Sequence, residues 1–376
     1  METKQNHRLF AVQELVDPCI GLLESASDLR ASALVSRSWA YPAQSHIFSE
    51  ITLSYADLPE TERLCSRFQD TLHTSPHLTR HVRRLYIHAD RLSIEKFAEI
   101  CTFAFTHLES VLVTGIADLT LSHAIALQQL ISLPTITSVK LGCRTELSVF
   151  FQIWDRCSPS IRDLFLIFTL QSTETFTPIS HPPSSHIRLE SLRIPIADGA
   201  LDWLRHEMCP FELSGLKGLS INDSTEALGW DIFVPVLSSI GLLEFVPTSF
   251  KPLVDLSSLS NLVEIRITLW TDIQRAPTLD TLSTITASHR IRRIVIICDI
   301  LLPLICAQLD AKLSGLPLRH SFDVIIVGRP NDLQLQFPTP NFPRLASQNM
   351  VHHRMFAPDK WWKSFMTTTG YRPPFP

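Results

Sequence analysis

The stretch Val82-Arg-Arg-Leu85-Tyr-Ile87 decides the fold, because its spacing, apolar-x-x-apolar-x-apolar, returns along most of the chain. Leu189-Glu-Ser-Leu192-Arg-Ile194 is a second example. The pattern occurs ten times, and consecutive occurrences begin 22 to 31 residues apart. Their first residues are Val82, Leu108, Ile136, Ile161, Leu189, Leu216, Ile240, Leu262, Ile291 and Phe322.

Each occurrence predicts a short β-strand. Side chains alternate between the two faces of a strand, so the fourth and sixth residues of each unit point the same way. Stacking the units in parallel would place the fourth residues in one apolar ladder, which begins with Leu85, Val111, Val139 and Leu164. Burying each of these side chains stabilises the stack by about 1.5–3 kcal/mol before entropy is counted.

Helical segments lie between the predicted strands. In Ser93 to Phe103 the apolar residues recur at helical spacing, with charged residues on the opposite side. Similar segments run from Leu121 to Ile131, Leu147 to Trp154, Gly199 to His206 and Asp280 to Ser288. Alternating strands and helices at this period predict an α/β fold, a leucine-rich-repeat-like solenoid over residues 58–328, with parallel strands on the concave face and helices on the convex face.

Composition excludes several functional classes. The 376 residues carry a formal net charge of −4, which argues against nucleic acid as a partner. The eight cysteines include no CxxC pair, and we expect those in apolar stretches, such as Cys101, Cys298 and Cys306, to be core residues. We find no apolar segment long enough to span a membrane, no catalytic motif, and no pattern that calls for a metal or cofactor. A monomeric cytoplasmic or nuclear protein that is not an enzyme is the expectation.

Residues 1–57 lie outside the repeats and have a different pattern. An apolar stretch from Leu9 to Leu23 is followed by Ser27 to Trp39. Asp17 before Pro18 predicts a helix N-cap, and Ser27 or Asp28 could cap a second helix. Two or three short packed helices are the prediction, and composition alone gives them no function.

This N-terminal segment resembles the F-box of fungal F-box proteins with divergent leucine-rich repeats. The resemblance lies in Glu14-Leu15-Val16, Cys19-Ile20, Leu23, Asp28-Leu29, Leu34-Val35-Ser36-Arg37-Ser38-Trp39 and Ile47-Phe48, ahead of a repeat array. It implies docking on the Skp-type adaptor of a cullin–RING ubiquitin ligase, with the repeats presenting a protein target. By resemblance, the adaptor-facing or module-core residues would be Leu15, Val16, Ile20, Leu23, Leu34, Val35 and Trp39. The alternative is a non-enzymatic scaffold whose N-terminal helices only cap the first repeat.

The residue between the fourth and sixth positions of each unit would face the concave surface. Basic and aromatic side chains mix in the centre of this row, and such residues dominate interface hot spots. They predict a site for a protein target of some acidic character at Tyr86, Lys140, Phe165, Arg193 and Arg266, although an ordinary solvated strand face would show the same residues. In the same row Leu112, Val295 and Ile326 predict that part of the face is covered.

Two segments rich in proline interrupt the pattern. Residues 177–186 predict a loop that projects from one repeat. Residues 329–376 predict a C-terminal tail, in which a short helix over residues 357–366 would cap the last repeat.

Overall fold

A computed structural model gives the fold of the chain as two compact units, Met1–Ile161 and Arg162–Pro376. The division lies inside the range predicted for the repeats. The residues that the structure describes are 14–23, 25–53, 58–89, 92–170, 186–196, 202–223, 232–246, 255–269, 275–298, 303–328 and 342–355.

The first unit begins with three helices and continues with strands and helices in alternation. The helices are residues 14–21 (α1), Ala26–Ala33 (α2), Arg37–Phe48 (α3), Leu58–Thr74 (α4), Ile94–Thr102 (α5), Leu121–Ile131 (α6) and Leu147–Trp154 (α7). The strands are Glu50–Leu53 (β1), Arg84–His88 (β2), Ser110–Leu119 (β3) and Ser138–Thr145 (β4), and a 3-10 helix spans Pro76–His81.

The four strands of this unit are parallel and follow chain order. Leu85 pairs with Val111, and Val111 pairs with Val139, as the repeat pattern predicts. All three side chains are fully buried. On the helical side, α5 contacts α6 and α6 contacts α7, so each strand–helix unit packs mainly against its neighbours.

Among its described residues, the second unit contains more strands and fewer helices than the first. Its strands are Asp163–Leu170 (β5), Ile187–Arg188 (β6), Ser191–Ile196 (β7), Phe211–Glu212 (β8), Gly218–Asp223 (β9), Leu242–Val246 (β10), Glu264–Leu269 (β11), Arg293–Cys298 (β12), Asp323–Gly328 (β13) and Val351–Met355 (β14). Its helices are Asp202–Arg205 (α8), Arg275–Ser283 (α9), Pro303–Ser314 (α10) and Pro343–Ser347 (α11), with 3-10 helices at Val234–Ser239 and Leu256–Ser258.

Eight strands of the second unit form one parallel sheet in the order β5, β7, β9, β10, β11, β12, β13, β14. The short strands β6 and β8 pair with each other in a separate two-stranded sheet. An apolar ladder runs across the main sheet through Leu164, Leu192, Leu219, Leu243, Ile265, Ile294 and Val324, all buried. The predicted α/β class and parallel pairing are confirmed within each unit.

Three details of the strand and helix predictions are wrong. Strands β1 and β14 lie outside residues 58–328, where no strand was predicted. Near the C-terminus, Ile294 pairs with Val324 rather than with Ile325, the fourth residue counted from Phe322. Helix α9 begins at Arg275 and ends at Ser283, earlier than the predicted Asp280 to Ser288, because Pro277 fits the first turn of a helix. Helix α8, Asp202–Arg205, lies within the predicted Gly199 to His206, of which residues 199–201 lie outside the described residues.

The predicted N-caps of the first helices are also wrong. The backbone is already helical at residue 14, so Asp17 does not cap α1 and Pro18 lies within the helix. The N-cap of α2 is Ser25, whose hydroxyl accepts a hydrogen bond from the Ser27 backbone N–H at 3.2 Å. An N-cap must stand outside the helix to accept such a bond, and Ser27 and Asp28 are already inside α2.

Two predictions fall on residues that the structure does not describe. The projecting loop, apart from His186, and the helix over residues 357–366 both lie outside the described residues. Among the described helices, none combines the length and the apolar character that crossing a membrane requires.

Candidate interaction surfaces

The N-terminal helices are held together by a small apolar cluster. Its buried members are Val16, Ile20, Leu29 and Ala43, and the partly buried side chains packed against it are Leu23, Ala33, Trp39 and Ile47. Four of the seven predicted adaptor residues, Val16, Ile20, Leu23 and Trp39, therefore belong to this core. Their substitution would disturb the packing of the helices before it affected any partner.

The other three predicted adaptor residues point into solvent. Leu15 lies on α1, Leu34 is the C-cap of α2, and Val35 lies in the turn before α3. Leu22, which follows α1 and which the sequence pattern did not single out, is exposed as well. These four side chains, here named the outer apolar residues, are between 63 and 87 % exposed within a segment of 21 residues. Contiguous exposed apolar surface is typical of docking sites for other proteins, so this segment is a candidate docking site.

The N-terminal helices are also joined to the first strands of the repeats. The Ser49 carbonyl accepts hydrogen bonds from the backbone N–H groups of Arg83 and Arg84, at 3.0 and 2.9 Å, and β1 pairs with β2. The Tyr41 ring of α3 meets the His81 ring edge to face at 4.9 Å between centroids. The Arg80 guanidinium lies 5.1 Å from the centre of the same Tyr41 ring. These contacts fit helices that cap the end of a sheet.

The predicted target-binding row differs between its members. In the first unit Tyr86 and Lys140 are half-buried. Burial raises the pKa of the Tyr86 hydroxyl, and the nearby Glu50 carboxylate raises it further. Both side chains thus carry a polar group on a partly covered strand face.

In the second unit, residues of the predicted target-binding row contact one another and their neighbours through a cation–π contact, hydrogen bonds and an ion pair. Phe165 is only 7 % exposed, and the Arg193 guanidinium lies 5.1 Å from the centre of its ring, within the range of a cation–π contact. Arg193 Nε donates to Ser220 Oγ at 2.9 Å, and Arg193 Nη2 donates to Glu244 Oε2 at 2.5 Å. The carboxylate of Glu244 is therefore held from a strand two positions away in the sheet.

Arg266 continues this network. Its Nε donates to Glu264 Oε1 at 2.6 Å, and its Nη1 lies 4.0 Å from Glu244 Oε2. The second oxygen of Glu264 accepts from Arg293 Nη1 at 3.0 Å. Arg193 and Arg266 are thus neutralised by carboxylates of their own sheet, and an acidic target would compete with Glu244 and Glu264 for them.

Burial affects both members of the central ion pair. It raises the pKa of Glu244, which is 2 % exposed, while the Arg193 and Arg266 charges oppose that rise. It lowers the pKa of Arg193, while Glu244 opposes that change. Each charge therefore depends on the other to remain ionised inside the protein.

The apolar members of the row differ in burial. Leu112 is buried, as expected for a covered part of the face, and Val295 is half-buried. Ile326 was assigned to the wrong face, because it pairs with the buried Ile296 and belongs to the apolar ladder. The residue that pairs with Val295 is Ile325.

Metal and thiol chemistry find little support among the described residues. No group of three or more His, Cys, Asp or Glu side chains there is placed to hold a metal ion. The cysteines of that part of the chain are free, and burial raises the pKa of Cys143 to about 12 and that of Cys209 to about 11. Cys101 and Cys306 are buried, as predicted, and Cys298 has no described side chain.

A search of protein-family models and a search of curated proteins both find no match to this chain.

Proposed function

We propose that the chain is a substrate-recognition subunit of a cullin–RING ubiquitin ligase of the SCF type, with residues 1–57 as an F-box-like module. The observation that carries the proposal is the division of the seven residues given by the resemblance. Val16, Ile20, Leu23 and Trp39 form the module's own core, while Leu15, Leu34 and Val35 remain exposed. A helical module built to dock on a Skp-type adaptor needs both sets.

In this proposal the parallel strand–helix units form a leucine-rich-repeat-like solenoid over residues 58–328 that binds a protein target. The surface that best supports target binding is the part of the row with Arg193 and Arg266, because arginine side chains are enriched among the residues that supply most binding energy in protein interfaces. The buried Phe165 ring packs against Arg193. The pairing of both arginines with Glu244 and Glu264 favours a target with charges of both signs over a uniformly acidic one.

The chain would not be an enzyme and would need no cofactor. It would bring a target lysine close to a ubiquitin-charged carrier, which raises the effective concentration of the reacting groups. A compartment that contains the ligase, the cytoplasm or the nucleus, follows from this proposal, as does a monomer outside the ligase complex.

A non-enzymatic scaffold is the second candidate, and a specific observation favours it. The pairing of β1 with β2 and the contact of Tyr41 with His81 support a role for the N-terminal helices in closing the end of the first unit's sheet. Helices with that role need no adaptor. The two candidates differ in one respect: only the ligase subunit uses its outer apolar residues to bind a Skp-type adaptor.

Co-purification of the full chain with a Skp-type adaptor separates the candidates. We expect wild type to retain the adaptor, and we expect Leu15→Asp and Leu34→Asp to lose it, because a carboxylate cannot be buried in an apolar interface without a partner. Leu121→Asp is the matched control, since Leu121 is another exposed leucine of the same unit, 51 % exposed, and lies on α6. Failure of the wild-type chain to bind would remove the ligase proposal and leave the scaffold.

A further inference from the structure

An open cavity of about 480 Å³ in the second unit is lined mainly by polar and basic side chains. It lies on neither of the surfaces described above. Its lining residues are Arg290, Arg292, His320, Ser321, Phe322 and Asp323.

Parallel pairing brings the two halves of this cavity together. Arg290 and Arg292 precede β12, and His320, Ser321 and Phe322 precede β13. The Asp323 backbone N–H donates to the Arg292 carbonyl at 2.9 Å. His320 Nε2 lies 2.8 Å from the Ile291 carbonyl oxygen, and because a carbonyl only accepts, this nitrogen carries the proton. Both loops are therefore fixed to each other before any ligand arrives.

In the part of the chain that the structure describes, Arg290 and Arg292 lack an ion pair of the kind that the neighbouring Arg293 makes. Arg293, the next residue along, pairs with Glu264 at 3.0 Å. Among the described residues, neither Arg290 nor Arg292 has a carboxylate oxygen within 4.0 Å of its guanidinium nitrogens. The carboxylate that does line the cavity, Asp323, has its Oδ1 3.3 Å from His352 Nε2. Two exposed guanidinium groups thus share one cavity in a chain whose net charge is negative.

We propose that this cavity binds an oxyanion of the phosphate monoester type. Guanidinium groups offer paired N–H donors that match the oxygens of such an anion, and Ser321 adds a hydroxyl donor. A phosphate has more terminal oxygens than a carboxylate, so it can satisfy two guanidinium groups and a hydroxyl together. The cavity exceeds the size of a phosphate alone, which leaves room for the organic group that carries it. The site does not depend on adaptor binding and would serve either candidate function.

The test is a calorimetric titration, in which the full chain is titrated separately with inorganic phosphate, phosphoserine and acetate. We expect saturable binding of both phosphate compounds, and binding of acetate that is at least about tenfold weaker. Tighter binding of phosphoserine than of inorganic phosphate would identify an esterified group as the ligand, and equal binding would identify free phosphate. Either result supports the site.

Charge-removing variants distinguish a built site from diffuse attraction. We expect Arg290→Gln and Arg292→Gln each to weaken phosphate binding by about tenfold or more, because each loses a charge-assisted hydrogen bond. Arg319→Gln is the matched control, since Arg319 is exposed and adjacent to His320 but does not line the cavity. The proposal is overturned if phosphate does not bind up to about 10 mM, if acetate binds equally well, or if Arg319→Gln is as damaging as Arg292→Gln.

Discussion

Arg193 on β7 and Glu244 on β10 form a buried ion pair across the intervening strand β9, with Arg193 Nη2 and Glu244 Oε2 2.5 Å apart. The pair is almost inaccessible to water on the carboxylate side, and Ser220 of β9 accepts from Arg193 between the two strands. The network therefore connects three neighbouring strands of the second unit, in addition to their backbone hydrogen bonds.

Removing the Glu244 carboxylate should lower the stability of the protein. Glu244→Ala would leave Arg193 without its nearest counter-charge in a buried position, and we expect the free energy of unfolding to fall by about 3–5 kcal/mol in a denaturant titration. The control is Glu109→Ala, which breaks the exposed pair with Arg83 and should cost no more than about 1 kcal/mol. Equal losses of unfolding free energy in the two variants would show that the buried pair stabilises the protein no more than the exposed pair does.

His81 should make the stability of the first unit sensitive to acid. Burial lowers the pKa of His81 below its ordinary value of 6.5, with the Arg80, His77 and His107 charges acting in the same direction, and no described residue accepts a hydrogen bond from its Nε2. Since the unfolded chain then binds more protons than the folded one, the stabilising contribution is complete above about pH 6.5 and is lost as the pH falls through the folded pKa.

The measurement is the free energy of unfolding between pH 7 and pH 5. The His81→Phe variant keeps an aromatic ring against Tyr41. We expect its free energy of unfolding to fall less between pH 7 and pH 5 than that of the wild-type chain. His46→Gln, at an exposed position of α3, should keep the wild-type profile. If His81→Phe has the same pH profile as wild type, His81 is not a source of the acid sensitivity.

Asp310 on α10 should anchor the end of the second unit. Its buried carboxylate accepts hydrogen bonds from the backbone N–H groups of Arg344 and Leu345, at 3.0 and 2.9 Å, and so caps α11 from another helix. Asp310→Ala would leave both N–H groups without an acceptor, at a cost of about 1.5–3 kcal/mol.

Hydrogen exchange at the backbone amides of Arg344 and Leu345 measures the effect of the Asp310 carboxylate directly. We expect the amides of Arg344 and Leu345 to exchange faster in Asp310→Ala, and to a smaller degree in Asp310→Asn, which keeps one acceptor oxygen. Asp280→Ala, at an exposed position of α9, should leave both rates unchanged. Wild-type exchange at these two amides in Asp310→Ala would show that α11 is held by other contacts.

The strand ladder could be predicted from the sequence because it depends on a local property. At Leu85 and Val139, alternation of apolar with polar residues separates the buried face of each strand from the other face. The same pattern failed at the last repeat, where Val324-Ile325-Ile326-Val327 is apolar at every position. Alternation cannot decide which face of such a strand is buried, and the pairing with β12 decides it instead.

Strands at the ends of the array carried a weaker signal. Phe48-Ser-Glu-Ile51-Thr-Leu53 does fit the six-residue pattern, 34 residues before Val82, but it is not counted among the repeats because it follows directly on the N-terminal helical segment. In β14 the ladder continues at Val351, which pairs with Val324, but His353 is polar where it pairs with Ile326. The strand conformation of β14 therefore comes from the open edge of β13, and tertiary context supplies what its local sequence lacks.

The functional surfaces were predictable to different degrees. Leu22 follows Leu15 by seven residues, a helical spacing that could have marked it as an outer apolar residue. Glu244 gave no such signal, because its role depends on Arg193, about two repeats earlier, and on Arg266 beside it in the sheet. The cavity at Arg292 and His320 arises only after β12 and β13 pair, so no local motif announces it.

In the proposed function, the N-terminal module has an inner set of residues for folding and an outer set for docking. The most direct measurement is the dissociation constant of the purified full chain for a purified Skp-type adaptor, together with the free energy of unfolding of each variant. We predict that Leu34→Asp weakens binding by at least about 30-fold while its unfolding free energy stays at the wild-type value. Ile20→Asp should instead unfold the module, since Ile20 is buried in its core. The proposed docking role is wrong if a correctly folded Leu34→Asp chain binds the adaptor with wild-type affinity, or if the wild-type chain does not bind it.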